Sequence, residues 1–560
     1  MHRRILSAGG AGGMEMRLDY VRSPDQDAAA PVRHPVIVVG AGPVGLALAI
    51  DLAQHGVPVV LLDEDDTLAT GSRAICFAKR TLEIFDRLGC GGPMVERGVQ
   101  WHVGRVFFGE TLAYQFDLLP EAGHHRPAFI NLQQYHVEAF LLERARALPS
   151  IDLRWRNRVA DVRPAAEGVS LTIETPDGRY DLACDHLIAA DGSRSTVRRL
   201  MGLETHGESF RDRFLIADVR MTAPFPSERW FWFDPPFHRG QSVLLHRQAD
   251  DVWRIDFQLG WDADPVAERA PERVIPRVRA LLGPEAAFEL VWCSVYTFSC
   301  QRMERFRHGR VYFAGDAAHG VSPFGARGAN GGVQDAENLA WKLALVVQGR
   351  APDALLDSYG AEREAAADEN ILASTRSTDF ITPKNAASRA FRDAALTLAR
   401  THPFARRLVN SGRLSVPAVL ERSPLNTPDA DDFAGGPAPG AVCADAPVRV
   451  DGRPGWLLQA VGDNFVVLGF GAEAAAPGAA LAEAWPVRAV LVVPPGAAVP
   501  GRRDLRVLED ADGRAWARYD AKPGTLYLVR PDQHVAARWR HVDPAAVGAA
   551  LARAAGRTSC

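Results

Sequence analysis

The spacing of hydrophobic positions changes several times along this chain, and each change marks a different element. Residues 36–39 form an apolar run of strand length that meets three glycines, Gly40, Gly42 and Gly45. Apolar residues then recur at helical spacing through Gln54, and Gly56 stops them. A second strand-like run, 57–62, ends on Asp63. Strand, helix, strand in that order predicts a β-α-β unit and a parallel sheet. In "DLACDHLIAADGSRSTVRRLMG" another short apolar strand ends on an acid, Asp191. From about 205 to 300 the pattern alternates instead. "RWFWFD", "SVLLHR" and "VWRIDFQL" read as antiparallel strands buried on one face. The first texture returns at "GRVYFAGDAAH", which carries Asp316, followed by a long helix in "GGVQDAENLAWKLALVVQG" and further helices to about 421.

These patterns predict an α/β protein. A Rossmann-like dinucleotide-binding domain, 34–204 and 301–421, is interrupted by an antiparallel sheet domain, 205–300. Residues 1–33 read as a disordered extension. Residues 422–447, rich in Pro, Gly and Asp, read as a linker to a smaller α/β unit at 448–560.

Composition narrows the partners. The 560 residues hold 64 Lys and Arg against 68 Asp and Glu, a net charge of −4, which favours neither nucleic acid nor an anionic membrane. Seven cysteines, none at C-x-x-C spacing, argue against a disulfide framework, a metal site or a dithiol centre and fit a reducing compartment. No apolar run has the length of a spanning helix, and the N-terminus lacks the apolar core of a secretory signal, so the cytoplasm is expected.

The chemistry starts at Gly40-x-Gly42-x-x-Gly45, with Pro43 and Val44 opening the helix. The glycines supply a tight turn, close approach of backbone to a pyrophosphate, and close packing of helix on strand. The helix N-terminus offers unpaired N–H groups to the phosphates. Asp63, about twenty residues on, is placed to accept from a ribose hydroxyl. FAD and NAD both satisfy this motif. Acids at two further strand ends, Asp191 and Asp316, suggest that the long middle of the ligand is held as well.

With "GAGPVG", "ADGSRSTVR" and "GDAAHGVSPFGARGAN" in that order over about 35–421, the chain resembles the single-component flavin-dependent aromatic hydroxylases, which include phenol and hydroxyphenylpropionate hydroxylases. The resemblance implies tightly but non-covalently bound FAD, with NADPH or NADH as a transient electron donor. Oxygen would add at flavin C4a, and the resulting hydroperoxide would oxygenate an aromatic, phenolic substrate. It further implies roles for single residues. Asp63 would hold the adenosine ribose, and Arg73 the pyrophosphate or ribityl region. Gln134 would touch the cofactor, with Val159 near adenine. Asp191 would serve the pyrophosphate and the nicotinamide donor, and Asp316 the ribityl chain. Pro323 would lie beside the flavin ring, and Gly328, Ala329 and Asn330 at its pyrimidine edge. The C-terminal unit resembles the thioredoxin-like appendage of phenol-type hydroxylases, expected to serve packing or dimer contacts.

No catalytic residue is identified. Trp230, Trp232, His246 and Arg254 are candidates for the substrate pocket, although the tryptophans suit core packing and Arg254 suits an ion pair with Asp256 on the same strand face. Relatives that hydroxylate phenols carry an acid near the position of Ile75. Ile75 and Cys76 offer no base, which leaves room for antibiotic-like substrates. A flavin-dependent halogenase, marked by W-x-W-x-I-P, is a weaker alternative, since Asp234 replaces the isoleucine in "RWFWFDPP". A non-catalytic flavin-binding protein is another.

Overall fold

A computed structural model describes residues 18–69, 73–223, 225–409, 414–475, 487–497, 505–541 and 543–557. The first strand, Val32–Val39, begins ahead of its apolar run because its polar start also pairs by backbone, His34 lying opposite Cys184. It runs parallel to Val59–Leu62 on one side and to Gly178–Ala189 on the other. Gly178–Ala189 is in turn parallel to Val311–Phe313, and Val59–Leu62 to Ile151–Arg154. Four neighbouring parallel strands therefore deliver Asp316, Asp191, Gly40 and Asp63 to the same end of one sheet. This is the ligand-binding end of an open α/β sheet.

The helices Pro43–Gln54 and Gly328–Val347 pack against each other beside this sheet. A Cβ on Gly332 would stand 2.7 Å from Val44 Cγ2, so the crossing needs a glycine there.

A seven-stranded sheet faces this unit, in the order Glu289–Tyr296, Arg213–Arg220, Val252–Leu259, Ser242–Arg247, Arg229–Phe233, Val103–Phe108, Thr111–Asp117. The last two strands lie outside the 205–300 span read from the sequence. Val103–Phe108 joins through a parallel pairing with Arg229–Phe233, a long-range contact with no local signature.

Two other boundaries move. Residues 18–33 are packed rather than loose: Leu18 is buried, and Asp25 bridges Arg154 at 2.6 Å and His34 at 2.8 Å. Residues 1–17 of the expected extension lie outside the described residues. The segment read as a linker is strapped to the C-terminal unit. The Thr427 N–H donates to the Ala536 carbonyl at 2.8 Å, and the Cys443 N–H to that of Gln533 at 2.8 Å. The Phe433 ring lies 4.1 Å from the Arg538 guanidinium and 3.8 Å from that of Arg540. Pro- and Gly-rich composition signals the lack of regular elements, not the lack of packing.

The C-terminal unit is a mixed sheet whose central strands, Val466–Phe470, Arg488–Val493 and Leu505–Glu509, are parallel. It docks through buried charge. Glu362 holds Lys342 Nζ and Arg530 Nη1, each at 2.6 Å, and Arg80 reaches Glu337 at 2.6 Å and Gln533 at 2.7 Å. No helix among the described residues is long and apolar enough to cross a membrane.

Candidate functional site: a cleft between the two sheets

The glycine turn is as tight as its spacing implies. Gly40 has φ +100°, and a Cβ there would lie 2.5 Å from the Ala190 carbonyl oxygen. A Cβ on Gly45 would lie 1.9 Å from the Gly40 carbonyl oxygen, whereas one on Gly42 would meet nothing within 4 Å. Gly42 therefore borders open space at the uncapped N-terminus of Pro43–Gln54. Asp63 accepts from the Ala41 N–H at 2.5 Å and the Asp65 N–H at 2.9 Å. Burial pushes its carboxyl up to about 6. Val159, buried, is the second residue of the strand Arg158–Ala165 beside this acid, where the Asn157 N–H donates to the Asp63 carbonyl at 2.8 Å.

Asp191 accepts from the Val197 N–H at 3.0 Å, while no donor among the described residues reaches its buried Oδ1. Asp316 follows the strand Val311–Phe313 in a single turn, Gly315–Ala317. It lies deep in the molecule yet keeps accessible surface, because it lines the cleft. Burial raises its carboxyl, opposed by the charges of His319 and Arg73. Behind the turn, Asp335 accepts from the Gly315 N–H at 3.0 Å, meets His319 at 2.7 Å and pairs with Arg363 at 2.6 Å. Burial opposes the charge on Asp335, but His319 and Arg363 outweigh it and hold the carboxyl below its usual range.

Opposite Asp316 stands the N-terminus of Gly328–Val347, where a Cβ on Gly328 would lie 3.9 Å from Asp316 Oδ1. Helical pairing begins with the Gly331 N–H, so the N–H groups of Gly328, Ala329 and Asn330 precede the ladder. The Asn330 side chain is already committed. It donates to the Cys76 and Ala326 carbonyls at 2.9 and 2.6 Å and accepts from the Ala78 N–H and Thr81 hydroxyl at 2.8 and 2.6 Å. Only its backbone is open to a ligand. Gln134 likewise serves the protein, accepting from the Ala74 N–H at 3.1 Å beside Arg73. Pro323 is exposed on the loop before the helix.

The seven-stranded sheet separates the four pocket candidates. Strand register puts Arg229, His246 and Arg254 on the inner face and Trp230 and Trp232 on the outer one. The tryptophans pack with Trp253, Ile255 and the helix Pro271–Leu282, so they do not line the cleft. Period-two alternation alone does not say which face is outside. On the inner face His246 Nδ1 lies 3.8 Å from Cys76 Sγ. Arg254 is held by Asp218 in a two-pronged pair, 2.8 Å at each prong, so the expected pairing with Asp256 is not made.

The family model for the FAD binding domain matches residues 33–374, and that for the HcaD C-terminal domain matches 440–554. The chain belongs to the FAD-binding family. Among relatives, the 6-methylpretetramide 4-monooxygenase of Streptomyces rimosus is 33% identical over 90% of each chain. The 3-(3-hydroxy-phenyl)propionate/3-hydroxycinnamic acid hydroxylase of Mycobacterium sp. (strain JLS) is 30% identical, covering 90% of this chain and 88% of its own. The structure of a ternary complex of aklavinone-11 hydroxylase with FAD and aklavinone superposes with a TM-score of 0.74 at 24% identity, over 94% of this chain and all of the other, and shares the fold. The protein is an FAD-dependent monooxygenase.

The cleft of this flavoenzyme fits its cofactor. Two acidic side chains have acceptor capacity left over, Asp191 through an orphaned Oδ1 and Asp316 through a carboxylate with no donor among the described residues. Two helix N-termini and the open space at Gly42 complete a cradle for phosphates and a flavin edge. The W-x-W pair belongs to the outer core, and Asp234, with φ +48°, accepts from the Gly240 N–H at 2.7 Å in a turn. Neither feature builds a second site. Sequence reasoning missed Asp335, whose signal was an acid among the apolar residues of a buried helix, and the inner-face groups Asp218, Arg229 and Tyr296.

Proposed function

We propose that the protein hydroxylates a phenolic ring, using FAD, O2 and either NADH or NADPH. In this reading FAD lies along the four strand ends, with its pyrophosphate at Gly40–Gly45 and the first turn of Pro43–Gln54. Asp63 accepts from the adenosine ribose, Asp316 from the ribityl chain, and the N–H groups of Gly328, Ala329 and Asn330 face the pyrimidine edge. Arg73 and Asp191 flank the pyrophosphate, with Val159 behind the adenine and Pro323 beside the ring. When bound, the flavin supplies the reducing equivalents and the activated oxygen. The chain's own residues orient the ring to be oxygenated and keep water away from it.

One observation carries the choice of substrate. The inner face of the seven-stranded sheet sets the packed aromatic cluster of Phe231, Phe233 and Phe214 beside buried Arg229 and Arg254, surroundings suited to an aromatic ring that bears or develops negative charge. Both phenylpropionate-like acids and fused polyphenols meet this description. A screen of both classes for stimulated NADH and NADPH consumption, coupled to product mass, tests the proposal. A product heavier by one oxygen atom supports it, and consumption indifferent to every aromatic compound removes it. The six described cysteines are all unpaired thiols, in keeping with a cytoplasmic location. A homodimer is the assembly we expect, to be checked by light scattering.

A further inference from the structure

We infer that Asp256 takes the phenolic proton of the substrate in the hydroxylation proposed above, on which this inference rests. Asp256 stands on the inner face of Val252–Leu259, opposite Leu244 on one side and Ile216 on the other, so no cross-strand partner satisfies it. Its strand neighbour Arg254 is turned to Asp218 in a two-pronged pair. The Asp256 Oδ1 is buried and no donor among the described residues reaches it. A carboxylate kept only for structure would have a partner, because an orphaned buried acceptor destabilises the fold. The residue nevertheless retains some accessible surface, so it borders the cleft.

Its surroundings suit an acid–base group. Burial raises the carboxyl and the Arg254 and Arg229 charges lower it, with Asp218 opposing them, and the balance falls at about 7. Cys76, which also senses Asp256, has its carbonyl held by Asn330 at the start of the helix Gly328–Val347. Asp256 and the helix N-terminus that faces the flavin edge in our reading thus share Cys76 as a neighbour. Tyr296 and Arg229, in the same neighbourhood, each carry a buried polar atom, the phenol oxygen and Nη1, that no partner among the described residues reaches.

His246 is the competing base and it is unsuited. Burial, Arg229 and Arg254 together drive a proton off its ring, well below the usual range. The same two cations favour a carboxylate and, after proton transfer, a phenolate. In the step itself the phenol O–H bond breaks, its electron pair stays on the phenolate oxygen, and the proton bonds to Asp256. Arg229 then faces the new anion. No oxidant enters this step, and the electron-rich ring is the one to be oxygenated.

The test uses the holoenzyme with 3-(3-hydroxyphenyl)propionate and p-nitrophenol, measuring hydroxylated product against pH for wild type, Asp256→Asn and Asp256→Glu. Arg229, Arg254, Asp218, His246, Tyr296, Cys76 and Arg73 surround the group and are left intact. Wild type should show a limb in kcat/KM near pH 7. Asp256→Asn should lose the limb and roughly 10²- to 10⁴-fold of the rate, less with p-nitrophenol, whose hydroxyl is the more acidic. Asp256→Glu should restore a shifted limb. An Asn variant with the wild-type limb and rate overturns the inference alone, as does a Glu variant no better than Asn. Failure of wild type to hydroxylate any phenol removes the proposed function and this inference with it.

Discussion

Replacing Asp316 by alanine separates a cofactor ligand from a helix cap. Asp316 lies deep at the end of Val311–Phe313, its carboxyl raised by burial, with no donor among the described residues. Hydrogen bonds to a charged acceptor contribute about 1.5–3 kcal/mol each. Losing one from FAD therefore weakens binding roughly 10- to 100-fold, at about 1.4 kcal/mol per factor of ten. With FAD at ~100 times the wild-type Kd, binding stabilises the folded state by about 2.7 kcal/mol. At the same concentration a 100-fold weaker variant gains only about 0.4 kcal/mol. The apoprotein should keep its stability, because the carboxylate removed is exposed in the cleft and no donor among the described residues holds it. Flavin fluorescence quenching gives Kd, and urea midpoints with and without FAD give the two stabilities. A variant with wild-type Kd and a weakened apoprotein refutes the reasoning, since that is how a cap behaves.

Arg530→Met leaves Lys342 as the one cation on Glu362 among the described residues and takes the arginine from Asp532 as well, at the joint with the C-terminal unit, and the loss should be roughly 3–5 kcal/mol in the urea midpoint. Adding Glu362→Leu should recover part of it, and a second change that deepens the loss speaks against a stranded charge. Asp63, raised to about 6 by burial, binds a proton in the folded apoprotein that the unfolded chain releases near its ordinary value. Its contribution is full below about pH 4 and fades as pH rises through 6, so Asp63→Asn should flatten that fall in apoprotein stability. An unaltered pH dependence of the urea midpoint counts against it. Trp232→Ala should destabilise the outer core by about 3–5 kcal/mol while leaving KM for a hydroxylated phenol within a few-fold of wild type. A selective rise in KM would put the tryptophan back in the pocket.

The dinucleotide half of this protein was legible in its residues because its signals are local. Gly45 reports a packing distance that its near neighbour Gly40 imposes, Gly40 marks the turn after its own strand, and Asp63, Asp191 and Asp316 each close an apolar run. Parallel pairing then brings those ends together without further information. The substrate side depends on contacts that no local pattern encodes. Cross-strand register puts Trp230 and Trp232 on one face and His246 and Arg254 on the other, and only the docking of Pro271–Leu282 makes the first face a core. Which carboxylate Arg254 pairs with depended on strand register: Asp218, across the ladder, sits opposite it, while Asp256 is two residues along the same strand and is left facing the cleft. A chain dictates its own turns and periods; which long-range neighbour satisfies a buried charge is decided by tertiary packing.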